Sequence, residues 1–263
     1  MLFPEIIYGP IRSRRLGRSL GVNLMPVDAK LCTFDCVYCE CGWNTAVPHP
    51  VLPTAAQVRQ ALEDKLISLS GPMADGKCPN GNCLDVITFS GNGEPTLHPD
   101  FLTIIRDTCA LRDRYCPTAK VSVLSNSTQL GRPDVVEALR LCDNRILKLD
   151  SAIDETMRLI DRPVNKALTV SQVEAWLRLF DGDFTLQTCF LRGTHDGHVI
   201  DNTTAEERAA YYRLVDRLRP QQLMLYVIDR VTPCPTLCKL SAEEMADIAR
   251  PLREKGYNVI VTA

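Results

Sequence analysis

Apolar positions along this chain follow two rhythms, short runs of β-branched and large apolar residues alternating with longer stretches in which they recur every three to four positions. The short runs at 19–24, 84–89, 120–124, 146–149, 184–191 and 223–228 predict six strands, and 258–262 offers a final one. Helix starts between them are legible as capping boxes. Thr54 with Gln57, Ser171 with Glu174, Thr204 with Glu207 and Ser241 with Glu244 each set a hydroxyl three residues before a carboxylate or amide. Val58, Leu62 and Leu66 follow the first box at helical spacing, Pro133 suits the first position of another helix, and 77–82 reads as a loop.

Parallel neighbours need crossover connections, and the right-handed sense of such crossovers curls successive units together. Six strand–helix units therefore predict an α/β fold, a partial (β/α)6 TIM-like barrel, with a doubly wound open sheet as the alternative. The 263 residues suit one domain, 1–18 forming an N-terminal extension and 19–262 the barrel, and 45% apolar content supplies its core. A formal charge of -2 gives no global field toward nucleic acid or anionic membrane. Pro4 and Glu5 interrupt the apolar N-terminal stretch, and no segment approaches the roughly 18 apolar residues of a membrane span, so a cytoplasmic protein with no membrane partner is expected. Twelve cysteines are too sparse for a disulfide scaffold of this length and fit a reducing cytosol.

Three of those cysteines, Cys32, Cys36 and Cys39, fall within eight residues. Thiolates hold iron–sulfur clusters, and a four-iron cube takes four; with three arranged, one iron keeps a position for substrate. The alternative is zinc, with Cys41 completing a tetrahedral site in a structural or interaction module. In a parallel barrel, chemistry collects where strands end. The second predicted strand ends in Ser90-Gly91-Asn92-Gly93-Glu94-Pro95-Thr96-Leu97-His98, whose glycines allow a tight turn and close approach to a ligand. The third ends in Ser125-Asn126-Ser127, able to bond sugar hydroxyls or cap its own turn, and the fourth in Lys148-Leu149-Asp150-Ser151. Gln187 lies on the opposite face of the fifth from Leu186 and Thr188, with Arg192 beyond; Asp229 and Arg230 after the sixth read as a ligand contact or a loop ion pair.

The Cys-x3-Cys-x2-Cys loop with Tyr38 before its last cysteine, followed some fifty residues later by Gly-x-Gly-Glu-Pro, resembles the radical S-adenosylmethionine superfamily. Tyr8-Gly9-Pro10 with Ser13 to Gly17, the 90–96 loop, Lys148-Leu149-Asp150 and Ile228-Asp229-Arg230 with Pro233 resemble a branch of iron–sulfur oxidoreductases related to the wyosine (tricyclic guanosine) tRNA synthases. The resemblance runs from about 7 to 261. It implies the radical S-adenosylmethionine form of the barrel and a 4Fe-4S cluster on Cys32, Cys36 and Cys39, whose fourth iron is chelated by the amino and carboxylate groups of S-adenosylmethionine. By the same likeness the backbone of Gly91, Gly93, Glu94 and Pro95 would hold the methionyl amino group, Tyr38 would contact adenine, and Ser125, Asn126, Asp150 and Gln187 would reach the ribose and sulfonium. The implied reaction is reductive cleavage to a 5'-deoxyadenosyl radical that abstracts hydrogen from a small molecule or peptide, with flavodoxin or ferredoxin as electron donor; tRNA base modification is the alternative. Asn92 inside the glycine motif is the one departure noted.

Other features carry two readings each. Arg12, Arg14, Arg15 and Arg18 would suit RNA contact or a solvated face, and the sparse aromatics argue against a stacking platform. Cys78, Cys83, Cys234 and Cys238 would together ligate an auxiliary cluster, or stay reduced thiols. Cys109, Cys142 and Cys189 fall in apolar phase as core residues, and His98 is a proton donor or a structural loop residue.

Overall fold

A computed structural model describes residues 2–13, 15–45, 48–70 and 84–263. Its principal sheet has eight strands in the order β1-β2-β3-β4-β5-β6-β9-β10. They are β1 (Ile7–Ser13), β2 (Gly17–Val22), β3 (Val86–Phe89), β4 (Lys120–Ser125), β5 (Asn144–Lys148), β6 (Thr185–Cys189), β9 (Gln222–Tyr226) and β10 (Val259–Thr262). From β2 to β10 every pairing is parallel, and only β1 runs antiparallel, against β2. The sheet curls into the expected α/β partial barrel, with helices α1 (Ala55–Ser70), α2 (Phe101–Tyr115), α3 (Pro133–Leu141), α4 (Asp154–Asp161), α5 (Val170–Leu177), α6 (Ala205–Leu218) and α7 (Ala242–Glu254) between its strands. A separate hairpin, β7 (Arg192–His195) with β8 (His198–Asp201), follows β6.

Period-two alternation sorts each strand into two faces. Leu20, Val22, Ile87, Phe89, Val121, Val123, Leu147, Leu186, Leu223 and Leu225 face the helices and join Val58, Leu62, Leu66, Ile104 and Ile105 in one buried core; each such side chain contributes roughly 1.5–3 kcal/mol on burial. The opposite face is the lumen, where polar Ser19, Thr88, Ser122, Lys148 and Gln187 lie among apolar Val86, Ile146 and Met224. Ser19 bonds Thr88 at 2.7 Å in the buried interior, and Asn144, at the start of β5, donates to Ser122 at 2.8 Å. Among the described residues no helix is long and apolar enough to cross a membrane.

Three local expectations change. The 184–191 run is interrupted after Cys189, because Leu191 donates to the Asn202 side chain and the chain turns into the β7–β8 hairpin. Ser171 lies inside α5: the cap is Thr169, whose hydroxyl accepts from the Gln172 amide. Cys109 is half-exposed on α2 rather than in the core, its thiol toward the Leu141 carbonyl, while Cys142 and Cys189 are buried. Full boxes at Thr54 and Ser241 cap α1 and α7; Thr204 caps α6 through its hydroxyl alone, the Glu207 carboxylate accepting from Ser151 instead, and Pro133 opens α3. The predicted loop at 77–82 lies outside the described residues.

Candidate functional site

Two loops meet at the C-terminal mouth of the barrel. The cysteine loop after β2 is bridged to the glycine loop after β3: Leu31 donates its amide to the Asn92 carbonyl at 2.9 Å, and Glu94 returns one to the Leu31 carbonyl at 3.1 Å. Gly93 has φ +145°, and a Cβ there would lie 1.8 Å from the Leu31 carbonyl oxygen, so only glycine permits the bridge. At Gly91, φ +146°, a Cβ would lie 2.5 Å from the Asn23 side-chain oxygen. Asn92 is buried and pins a third segment, accepting from the Phe3 amide at 2.7 Å and donating to the carbonyls of Phe3 and Pro26. An asparagine inside the glycine motif therefore ties the N-terminal segment to the mouth. Gly93→Ala should cost roughly 1–3 kcal/mol in backbone strain alone and displace Leu31 beside Cys32. Urea unfolding and iron analysis check this; an unchanged midpoint with unchanged iron uptake would contradict it.

Glu94 braces the loop from within. Its buried carboxylate accepts from the Thr96 amide at 3.1 Å and the Asn126 amide at 2.6 Å, linking the ends of β3 and β4. Burial raises its pKa, opposed by those donors. Ser125 turns to its own loop, accepting from the Ser127 amide at 3.1 Å, while Asn126 reaches the cysteine loop, 3.5 Å from the Cys32 sulfur and 2.8 Å from Thr33 Oγ1.

The Cys32, Cys36 and Cys39 thiols lie close enough to feel one another's charge, and donors point at them. The Phe34 amide and Asn126 Nδ2 each lie 3.5 Å from Cys32 Sγ, and Lys148 Nζ is 3.0 Å from Cys36 Sγ. Burial pushes the Cys32 thiol up to about 11 and raises Cys36 well above its ordinary value, Lys148 opposing the latter. Cys41 sits beside Cys39, the two thiols sharing a hydrogen bond that lowers Cys39 and raises Cys41. Among the described residues no three His, Cys, Asp or Glu side chains are placed to share a single ion. Sulfurs supplied with N–H donors have the outer hydrogen bonds that cluster-ligating thiolates take.

Beneath the thiols a charged network fills the lumen. Lys148 Nζ lies 2.6 Å from Asp161, 3.1 Å from Asp150 and 2.9 Å from the Tyr38 hydroxyl. Burial alone would lower the lysine's pKa, but Asp150 and Asp161 reverse this and hold it well above the ordinary value. Tyr38 donates to Asp150, and Asp150 also accepts from the Cys189 amide at 2.9 Å, so its carboxylate is occupied by protein groups. Burial, then Asp150, keeps the Tyr38 phenol protonated. Tyr226 approaches Tyr38 at 3.3 Å between hydroxyls, with Arg15 stacked 4.7 Å over its ring. Gln187 does face the lumen, its amide 3.4 Å from the Met224 sulfur.

Cys32, Cys36, Cys39, Tyr38, Gly91, Gly93, Glu94, Pro95, Asn126 and Asp150 thus share one mouth. Asp161 and Tyr226 escape sequence reading, because each meets the cysteine loop from more than a hundred residues away. Among the described residues Arg12 is exposed while Arg15 turns inward over Tyr226, so these two share no face; Arg14 lies outside the described residues. Arg230 pairs with Glu40 and Asp229 with Lys239 rather than with each other. His98 is structural, Nδ1 accepting from Asp100 and Nε2 against the Pro53 carbonyl. Cys234 is buried and Cys238 exposed, and Cys78 and Cys83 lie outside the described residues.

No family model matches the chain. It superposes on a structure of TYW1 with a lysine–pyruvate adduct bound, TM-score 0.63 at 16% identity over 90% of this chain and 73% of that one. A radical SAM methyltransferase from Sphaerobacter thermophilus gives 0.64 at 16%, over 93% and 65%. Streptococcus suis SuiB bound to S-adenosylmethionine gives 0.60 at 12%, over 92% and 50%. The fold is that of radical SAM enzymes. A UPF0026 protein of Synechocystis sp. is 32% identical over 232 residues, covering 85% of this chain and 75% of the relative. The chain belongs to the UPF0026 family. A UPF0026 protein of Methanocaldococcus jannaschii is 31% identical over 170 residues, covering 64% of this chain and 47% of the relative. A Brachyspira hyodysenteriae protein named GTPase Obg is 27% identical over 245 residues, covering 91% of this chain and 32% of that protein. The chain thus spans between a third and three fifths of several curated relatives.

Proposed function

We propose that this chain is a radical S-adenosylmethionine enzyme acting on a small molecule or peptide. The observation that carries the reading is the backbone bridge from Leu31 to the glycine loop, which holds three cysteines beside a Gly-x-Gly-Glu-Pro turn at the barrel mouth. Cys32, Cys36 and Cys39 would hold a 4Fe-4S cluster, which when bound supplies the electron that breaks the sulfonium carbon–sulfur bond. The Phe34 amide, Asn126 and Lys148 would donate to the ligating sulfurs. The backbone of Gly91, Gly93, Glu94 and Pro95 would bind the methionyl amino group.

Tyr38 has its hydroxyl tied to Asp150 and Lys148, and its ring would contact adenine. Asn126 and Ser125 would meet the ribose. Asp150, committed to Tyr38, Lys148 and the Cys189 amide, would order the site, and Gln187, beside Met224 in the lumen, would reach the ribose and sulfonium region. TYW1 carries a lysine–pyruvate adduct. Lys148 in this lumen is held cationic by Asp150 and Asp161, without the lone pair an imine needs, so no such adduct is inferred here. Flavodoxin or ferredoxin is the proposed electron source.

Anaerobic reconstitution with iron and sulfide tests the assignment. The expected result is the broad visible charge-transfer band of a cluster and saturable binding of S-adenosylmethionine by equilibrium dialysis. Stoichiometric zinc uptake with no iron–sulfur chromophore would reverse it in favour of a structural module.

A further inference from the structure

Cys41 has a place in the mouth that the three-cysteine motif does not account for. The chain turns twice in quick succession, Cys39 N donating to the Cys36 carbonyl at 3.1 Å and Gly42 N to the Cys39 carbonyl at 2.9 Å. Gly42 takes φ +84°, and Lys30 clamps the exit by donating to the Gly42 carbonyl at 2.9 Å and pairing with Asp35 at 3.3 Å. These turns fold Cys41 back so that its thiol bonds Cys39 and lies 3.3 Å from the Gly91 carbonyl. The loop's other bridging groups, the Asn92 carbonyl and the Glu94 amide, are taken by Leu31. The thiol therefore rests on the backbone group that, under the proposed function, receives the amino group of S-adenosylmethionine.

Thiolate is the ordinary fourth ligand of a four-iron cluster. A thiol beside Cys39 and over the Gly91 carbonyl would be a candidate for the position that a three-cysteine motif leaves free. We propose that Cys41 is a resting-state fourth ligand, capping the open iron until S-adenosylmethionine displaces it. The inference rests on the proposed function. The exchange involves no change of oxidation state: the iron–Cys41 bond breaks, the amino and carboxylate groups of S-adenosylmethionine replace it, and the released thiolate takes a proton from solvent. Cap and cofactor then compete, so a cap occupying about nine tenths of the molecules weakens apparent cofactor affinity about tenfold.

The test compares anaerobically reconstituted wild type with Cys41→Ala and Cys41→Ser. Electron paramagnetic resonance of the reduced cluster should differ between wild type and Cys41→Ala without S-adenosylmethionine and coincide at saturation. Cys41→Ala should bind S-adenosylmethionine about tenfold more tightly. In the wild type, Cys41 should be protected from iodoacetamide in the cluster-loaded protein and become reactive on adding S-adenosylmethionine, as read by peptide mass spectrometry. Superimposable spectra without cofactor together with equal affinities would overturn the proposal. Should Cys41→Ala fold poorly, Cys41→Ser and the alkylation pattern decide it in the same terms. A wild type that takes up no cluster overturns the parent reading and this proposal with it, an outcome distinct from a cluster that binds S-adenosylmethionine regardless of Cys41.

Discussion

Replacing Cys36 with Ala should leave a folded protein unable to hold an iron–sulfur cluster. Cys36 is the most enclosed of the three motif thiols, 8% exposed, and lies on the floor of the cysteine loop. Its neighbours Asp35 and Val37 donate their amides to the Asp161 and Ile160 carbonyls at 2.9 Å, so the backbone at this position is held by α4 independently of the sulfur. Lys148 loses one acceptor but keeps Asp150, Asp161 and the Tyr38 hydroxyl. The fold therefore survives while one corner of the cluster loses its only thiolate. Iron and acid-labile sulfide should fall at least tenfold in the reconstituted variant, with an unchanged far-ultraviolet circular dichroism spectrum. A variant that keeps its charge-transfer band and its iron would rule out Cys36 as a ligand.

Lys148→Met should be the most destabilising single change at the site. Among the described residues Lys148 is the cation paired with both Asp150 and Asp161, which are 0% and 1% exposed in their side chains. Removing one partner of a buried ion pair strands the other charge, at a cost of about 3–5 kcal/mol. Asp161 is already strained in this respect, since its Oδ2 is buried with no hydrogen-bond partner and burial raises its pKa. Adding Asp161→Asn to Lys148→Met removes one stranded charge and should recover part of the loss, a coupling that a double-mutant cycle resolves. Urea unfolding of the cluster-free proteins gives the numbers. A loss below about 1 kcal/mol for Lys148→Met would mean that the network is not held together by its cation.

Much of the architecture was legible because local chemistry decides it. Strand phase, the capping hydroxyls of Thr54, Thr204 and Ser241, and Pro133 at a helix start are read over a few residues, and the parallel order follows from the helices between strands. The strand β1 was not anticipated, since Ile7 to Ser13 carries glycine, proline and arginine and earns its place by pairing with β2. The cysteine and glycine motifs gave away the mouth of the site because spacing and backbone freedom are written in sequence. Two of its features were not. Lys148 and Asp150 were visible as a polar strand end, but their commitment to each other, to Asp161 and to Tyr38 depends on how β5, α4 and the cysteine loop pack. Ser125 and Asn126 looked alike in sequence, yet only Asn126 reaches the cysteines, because Ser125 is used by its own turn.

The most direct test is chemical. Protein reconstituted under anaerobic conditions, reduced with dithionite and given S-adenosylmethionine should form 5'-deoxyadenosine, quantified by liquid chromatography, and the Cys36→Ala variant should form none above background. Cluster-loaded, reduced wild type that binds S-adenosylmethionine yet leaves it intact would contradict the account.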